Sequence, residues 1–299
     1  MEIQNAIPRR SFHSAIPSIR IPKTNLFSKL PQIHSPKWAS LKIHYSSSSY
    51  SHTLISKRNL QCRNSVDKVE YNKGVSDKPK AKIRRKNLAV FVSGGGSNFR
   101  SIYEATLNGS VHGGVVVLVT NKHDCGGAEY AGDKSIPVIV FPGKKDSKEV
   151  FSTEDLVTAL RSYKVDFILL AGYLKLIPVE LVRAYPKSIL NIHPSLLPAF
   201  GGKGYYGMKV HEAVIASGAR YSGPTIHYVD EQYDTGRILA QRVVPVLAKD
   251  TAQELASRVL HEEHKLYVDV AAALCEERIT WREDGVPLIQ SKENPNEYW

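Results

Sequence analysis

Asn191 and His193 stand two residues apart in the stretch NIHPS, an amide beside an imidazole at the end of an apolar run. Alternate residues of a strand point to the same face of a sheet, so both side chains face one way. Pro194 ends the strand directly after His193. An amide N–H can stabilise the oxyanion that forms when a nucleophile attacks a carbonyl carbon, and an imidazole can move protons beside it. The pair therefore indicates acyl transfer.

A histidine that donates to an oxyanion needs a carboxylate that raises its pKa toward the working pH. The first candidate is Asp234, which stands in an Asp-Thr-Gly turn before a predicted strand, and Asp230 is a second, weaker one. We expect Asp234 to keep His193 protonated. Each feature alone also fits a structural role, because strand-end histidines and Asp-Thr-Gly turns are common. Their combination favours an enzyme.

The stretch SGGGSN, residues 93–98, follows a predicted strand and opens a predicted helix. Free backbone N–H groups and the positive helix end meet there, so a phosphate is expected. The dinucleotide fingerprint is excluded because Phe99 stands where its third glycine belongs, and the Walker A motif is excluded because no Gly-Lys-Ser/Thr follows. The alternative is a tight strand-helix turn with Ser97 as the N-cap.

The elements that carry these residues alternate between apolar strands and amphipathic helices. Strands are predicted at 88–93, 113–121, 136–142, 165–172 and 187–195, and helices from Ser97, at 153–164 and at 178–186. Two strand-like runs follow within 225–246, then one long helix at 251–277 and a terminal hairpin at 279–290. The predicted fold class is α/β: a doubly wound, mostly parallel sheet with a C-terminal antiparallel addition and a long C-terminal helix.

The net charge of the 299-residue chain is +11, and its distribution decides what it means. Residues 1–86 hold 18 Lys and Arg against four acidic residues, which gives +14, whereas residues 87–299 hold 22 basic and 25 acidic residues, which gives −3. The positive charge therefore belongs to the leader, and no nucleic acid is expected to bind through a basic face of the body.

Residues 1–66 are basic, rich in serine and poor in acids, without a long apolar core. This composition is typical of an organelle transit peptide, and an untargeted tail is the alternative. The serine content favours the chloroplast, with the mitochondrion as the second choice. Residues 67–86 are interpreted as a polar linker, and residues 87–299 as one catalytic domain.

The three cysteines, Cys62, Cys125 and Cys275, lie far apart and show no CxxC spacing. This argues against a disulfide framework or a zinc site. No run of about eighteen apolar residues is present, so no membrane association through a span is expected. The sequence does not indicate an oligomeric state.

Five segments carry a resemblance to a known family: VFVSGGGSN, LLAGYLKLIP, LNIHPSLLPAFGG, GPTIHYVDEQYDTGRIL and the EEH of 262–264. In these motifs, which span nearly all of residues 88–290, the chain resembles the phosphoribosylglycinamide formyltransferases. The resemblance implies a folate-binding doubly wound domain that acts in purine (IMP) synthesis. It implies transfer of a formyl group from 10-formyltetrahydrofolate to the amine of glycinamide ribonucleotide, both of them small molecules.

The resemblance also implies roles for individual positions. The catalytic residues are Asn191, His193 and Asp234. The ribonucleotide contacts are Gly95, Gly96, Ser97, Asn98 and Glu263. The folate contacts are Lys148, Leu174, Lys175, Leu176, Ile177, Asn191, Asp230 and Asp234. No metal is implied, and the HEEH of 261–264 lacks the HExxH spacing of a zinc protease.

Some features depart from the family pattern or leave alternatives open. The loop at 199–212 is longer than the common version. Formyltetrahydrofolate deformylases resemble the same core but read His-His-Ser where this chain has His193-Pro194-Ser195. Methionyl-tRNA formyltransferases would add a basic C-terminal domain. Hydrolysis of the same folate is thus the second enzymatic hypothesis, and a folate- or nucleotide-binding regulatory module is the non-enzymatic one.

Overall fold

The computed structural model describes residues 83–143 and 151–299. The predicted transit peptide, residues 67–82 of the predicted linker, and Lys148 lie outside the described residues. All described residues belong to one compact unit, Val75–Trp299. Its first strand begins at Lys86, one residue before the predicted domain start.

The described residues form eleven strands. They are β1 (Lys86–Val92), β2 (Gly113–Thr120), β3 (Val138–Val140), β4 (Phe167–Leu170), β5 (Ile189–His193), β6 (Tyr221–Ser222), β7 (Thr225–Tyr228), β8 (Ile238–Gln241), β9 (Val244–Pro245), β10 (Ile279–Trp281) and β11 (Pro287–Ile289). Seven of them make one sheet in the order β3-β2-β1-β4-β5-β7-β8. The pairs from β3 to β5 are parallel, and β7 and β8 are added antiparallel. The predicted mostly parallel sheet with its antiparallel addition is confirmed.

Six helices accompany these strands in the described residues. They are α1 (Ser97–Leu107), α2 (Gly126–Asp133), α3 (Thr153–Ser162), α4 (Val179–Ala184), α5 (Met208–Ser217) and α6 (Ala252–Cys275). Both α3 and α6 begin with a complete capping box, Ser152 with Asp155 and Thr251 with Glu254. None of these helices is both long and apolar enough to cross a bilayer.

The sheet is covered on both faces, as the alternation in β1 requires. Leu88, Val90 and Val92 pack into a core that includes residues of α1 and α6. Ala89 and Phe91 point the other way, into a core with residues of α3 and α4. Because central parallel strands are buried on both faces, they appear in sequence as continuous apolar runs.

Two helices and one small sheet were not predicted. Helix α2 has the sequence GGAEYAGD, whose three glycines disfavour a helix in isolation. Helix α5 follows a loop rich in glycine. Strands β6 and β9 pair with each other but have only two residues each, too few to give a period-2 signal.

Candidate active site

A cavity of about 790 Å³ opens at the carboxyl end of the parallel strands. Its walls come from the chain after β1, β4 and β5, from residues 202–208 and from α6. The lining contains these residues from the predicted sets: Asn98, Leu174, Lys175, Leu176, Ile177, Asn191, His193, Asp234 and Glu263. The lining does not contain Gly95, Gly96, Ser97 or Asp230. One cavity thus brings together all three predicted catalytic residues, most of the folate contacts, and two of the five ribonucleotide contacts, Asn98 and Glu263.

Strand β5 holds the amide and the imidazole at its end. Asn191 and His193 both reach the cavity, as the alternation predicts. On the neighbouring antiparallel strand β7, His227 lies opposite Asn191 and Thr225 lies opposite His193. Thr225 secures the turn after β5, because its hydroxyl donates to the carbonyl of Ser195 at 2.6 Å.

His193 is buried, and both of its ring nitrogens have neighbours. Nε2 donates a hydrogen bond to the carbonyl oxygen of Phe200 at 2.8 Å, because a carbonyl can only accept. Nδ1 lies 3.4 Å from Oδ2 of Asp234, which is long for a hydrogen bond. Nδ1 is therefore the ring nitrogen that remains able to exchange a proton.

The turn after β7 delivers Asp234 to this histidine. Asp234 adopts a left-handed conformation, φ 58°, and its Oδ2 accepts from the backbone N–H of Gly202 at 2.8 Å. Gly236 makes the turn possible, since a Cβ there would lie 1.8 Å from the carbonyl oxygen of Tyr228. The predicted partnership of Asp234 with His193 is therefore present in the geometry.

The protonation state of His193 differs from the prediction. Burial lowers the pKa of His193 below its ordinary value of 6.5, and this outweighs Asp234 and the Phe200 carbonyl, which raise it. Burial raises the pKa of Asp234, but His227, His193 and the N–H of Gly202 together bring it below its ordinary value. The expectation that Asp234 keeps His193 protonated is wrong for the substrate-free protein, where the carboxylate is ionised and the imidazole is neutral at pH 7.

His227 is a site residue that the sequence reasoning missed. Its Nδ1 donates to the carbonyl oxygen of Tyr228 at 2.8 Å, so Nε2 is the ring nitrogen that faces Asn191. Nδ2 of Asn191 lies 3.1 Å from that Nε2 and 3.5 Å from Oδ1 of Asp234. These two acceptors orient the amide with its nitrogen toward His227 and Asp234. The only sequence signal was the alternation within the strand TIHY.

The glycine loop ends in the positive end of α1. Gly96 is the N-cap, with φ 72°, and Ser97 is the first helical residue. The alternative in which Ser97 caps the helix is therefore wrong. No side chain caps the first turn of α1 and no acidic residue lies in it. Its backbone N–H groups stay available to an anion.

Asn98 and Glu263 connect this loop to α6. Nδ2 of Asn98 donates to Oε2 of Glu263 at 2.7 Å, and both side chains are buried in the cavity wall. Burial raises the pKa of Glu263, and the hydrogen bond from Asn98 opposes it. Oδ1 of Asn98 is buried and has no hydrogen-bond partner among the described residues. The pair therefore places polar groups where the cavity meets α6.

The wall after β4 is apolar and open to solvent. Leu174 and Leu176 are exposed, whereas Ile177 is buried beneath them. Lys175 also lines the cavity.

Asp230 does not line the cavity, and both of its carboxylate oxygens accept from the hydroxyl of Thr235, at 2.7 and 2.8 Å. Its carboxylate thus holds the turn that carries Asp234.

The longer loop noted in the sequence forms the opposite rim. Residues 202–208 line the cavity, and Gly202, Gly204 and Gly207 have positive φ angles. His211, in α5, is buried in the same wall, and its Nδ1 has no hydrogen-bond partner in the part of the chain that the structure describes. Burial lowers the pKa of His211, and His193 lowers it further. Within residues 83–143 and 151–299, no three His, Cys, Asp or Glu side chains are grouped to hold a metal ion.

The family described as formyl transferase matches residues 86–271. The chloroplastic phosphoribosylglycinamide formyltransferase of Vigna unguiculata is 58% identical over 311 residues, covering 100% of both chains. The chloroplastic phosphoribosylglycinamide formyltransferase of Arabidopsis thaliana is 71% identical over 217 residues, covering 72% of this chain and 74% of that protein.

A solved structure agrees with this assignment. Glycinamide ribonucleotide transformylase 1 from Symbiobacterium toebii superposes with a TM-score of 0.61 at 32% identity, over 68% of this chain and 93% of that one. The family match, residues 86–271, includes every residue that lines the cavity. The chain belongs to the formyl transferase family.

Proposed function

We propose that the chain transfers the formyl group of 10-formyltetrahydrofolate to the primary amine of N1-(5-phospho-D-ribosyl)glycinamide, a step of purine (IMP) biosynthesis. The observation that carries the proposal is one cavity whose lining joins Asn191, His193 and Asp234 to Asn98, in the first turn of α1, and to an apolar wall. The names of the relatives and the family membership support it.

The two substrates bind on different sides of the site, with the ribonucleotide reaching from the cavity at Asn98 to the glycine loop beside it. The phosphate of the ribonucleotide binds the backbone at Gly95–Asn98, where the dipole of α1 favours negative charge, and Glu263 contacts the same substrate. The folate lies between residues 171–177 and 230–234. Holding both substrates in the reactive geometry lowers the barrier by several kcal/mol, because a bimolecular step becomes effectively unimolecular.

The amine nitrogen attacks the formyl carbon, and the carbonyl electrons move to oxygen. Nδ2 of Asn191 has two N–H groups: one stays with His227, and the other, whose contact with Oδ1 of Asp234 is long at 3.5 Å, donates to this oxyanion. The negative charge raises the proton affinity of His193, so the imidazole that burial keeps neutral takes up a proton as the charge develops. The bond from carbon to the folate nitrogen then breaks. The proton that the attacking amine releases passes through water to His193 and from there to the folate nitrogen, so the imidazole ends neutral and Asp234 stays ionised.

The test uses the full chain with 10-formyltetrahydrofolate, with and without the ribonucleotide, and follows the release of tetrahydrofolate. Release that requires the ribonucleotide is the expected result. Release without it would replace the proposal by a deformylase, in which water is the acceptor. Folate binding without release in either case would leave a regulatory module.

The proposal places this activity in the chloroplast. The basic, serine-rich leader supports it, as do the relatives named chloroplastic in Vigna unguiculata, Arabidopsis thaliana and Glycine max. A fluorescent protein fused behind residues 1–86 is expected to enter plastids. Accumulation in mitochondria would select the alternative address.

A further inference from the structure

Ser93 lies at the junction of three strand ends. It follows β1, directly before the glycine loop, and is 2% exposed. Its hydroxyl donates to Oδ1 of Asn121, which follows β2, at 2.5 Å. The same oxygen accepts from the backbone N–H of Leu174, which follows β4, at 2.9 Å. One buried hydroxyl thus joins the ends of β2, β1 and β4.

The position of this hydroxyl is dictated by the way the chain leaves the sheet. The ladder between β1 and β4 continues past its last paired strand residue, since the N–H of Ala171 donates to Phe91 and the N–H of Ser93 donates to Gly172. Gly172 then takes a left-handed conformation, φ 80°, and turns the chain away. The next N–H toward β1, that of Leu174, therefore has no ladder carbonyl to reach. The Ser93 oxygen satisfies it instead.

The segment so attached is the apolar wall of the cavity. Leu174 and Leu176 expose their side chains there, and Lys175 lies between them. Within the described residues, the Ser93 hydroxyl makes the only hydrogen bond to the N–H of Leu174. Tyr173 fixes the segment from behind, through its hydroxyl and the carbonyl oxygen of Phe141 at 2.6 Å. Backbone placement at Leu174 therefore depends on Ser93.

We propose that Ser93, oriented by Asn121, is a positioning residue that sets the folate wall at 174–177 against the phosphate loop that begins at Gly94. The inference rests on the proposed function, since it assigns the folate to that wall. Ser93 does not line the cavity. It acts through the backbone of Leu174, and its two hydrogen bonds fix the direction of the hydroxyl.

The experiment measures kcat and both KM values in the full chain. Ser93→Ala leaves the N–H of Leu174 and the amide oxygen of Asn121, both of which take part in part-buried hydrogen bonds, without their Ser93 partner. We expect the KM for 10-formyltetrahydrofolate to rise about tenfold while the KM for the ribonucleotide changes less than about twofold. Ser93→Thr retains the hydroxyl and is expected to restore most of the affinity. Asn121→Ala removes only the acceptor, so a smaller rise in the same KM is expected.

Ser222→Ala is the matched control, because Ser222 is 1% exposed, has no partner for its hydroxyl and lies outside the cavity lining. Equal rises in both KM values of Ser93→Ala, with a lower melting temperature, would reduce Ser93 to a structural role. Unchanged values would also overturn the inference. If the wild-type protein had no transfer activity, the proposed function itself would fail, and with it the assignment of the folate to residues 174–177. That outcome is distinguishable from the two above because it does not depend on any variant.

Discussion

The floor and the rim of the cavity are built in opposite ways. The floor consists of His193, His227 and Asp234. Their side chains are 5%, 3% and 9% exposed, and each makes a hydrogen bond with a backbone group. The rim consists of the wall at 174–177 and the loop at 202–208, where Leu174 and Tyr206 are 49% and 48% exposed. The reacting groups are therefore held in place before a substrate arrives. The rim instead gains its binding energy when a ligand covers it.

The largest expected effect is the loss of a floor side chain. His193→Ala is expected to lower kcat by about 10²–10⁴, the usual contribution of a positioned acid-base group. The measurement is steady-state turnover, with circular dichroism to show that the fold persists. His261→Ala, on the exposed side of α6, is the control and should retain wild-type turnover. Wild-type turnover in His193→Ala would remove this residue from the mechanism.

The second-largest effect is expected from a substitution that moves the backbone of the floor but keeps its side chains. Gly236→Ala puts a Cβ against the Tyr228 carbonyl, so the turn that carries Asp234 must shift. A displacement of about 1 Å in an active site can cost about 10²-fold in rate. Gly132→Ala, in α2 with open space around it, is the control and should be neutral or stabilising. Equal activity of both variants would show that the position of Asp234 is not critical.

The third prediction concerns how the free energy of unfolding depends on pH, because two histidines of the cavity are buried. The pKa values of His193 and His211 in the folded state lie below 6.5, and those of the unfolded chain lie near 6.5. Below pH 6.5 the unfolded state therefore binds more protons, so the free energy of unfolding falls as pH falls through this window. Each histidine contributes at most about 1.4 kcal/mol per pH unit. His211→Gln should flatten the dependence, as measured by urea unfolding between pH 5 and 7, and an unchanged slope would contradict the assignment.

The smallest expected effect is on the rim. Among the residues that the structure describes, Lys203 and Lys175 are the only Lys or Arg residues in the cavity lining, and both proposed substrates are anions. Lys203→Met is expected to lower kcat/KM about fivefold at low salt and less at high salt, with kcat unchanged, because screening weakens attraction between exposed charges. Lys209→Met, outside the lining, is the control. A fall in kcat would mean that Lys203 takes part in the chemical step and not only in substrate binding.

What the sequence predicts well follows from short-range patterns. Asn191 and His193 share a strand face because side chains alternate, and the apolar runs of β1, β2 and β4 are buried on both faces. The carboxyl ends of parallel strands meet at one edge of a sheet, and the glycine loop after β1 and the Asn-His pair at the end of β5 both lie there. These are properties of one element at a time.

What the sequence did not predict depends on neighbours that are distant in the chain. His227 joins the site only because β7 pairs antiparallel with β5, which sets Asn191 opposite it. The neutral state of His193 results from burial by the whole fold, a quantity that no local motif reports. Asp230, chosen from its position in the motif, uses both carboxylate oxygens within its own turn.

The attachment of the rim loop to the floor bears on protein engineering. Phe200 accepts from His193, and Gly202 donates to Asp234, so the loop is anchored at its first residues by the catalytic pair itself. Beyond Gly202 the chain is exposed until α5 begins. Residues 203–207 can therefore serve as a graft point, where altered length or composition changes which acceptor is admitted while the chemistry below keeps its geometry.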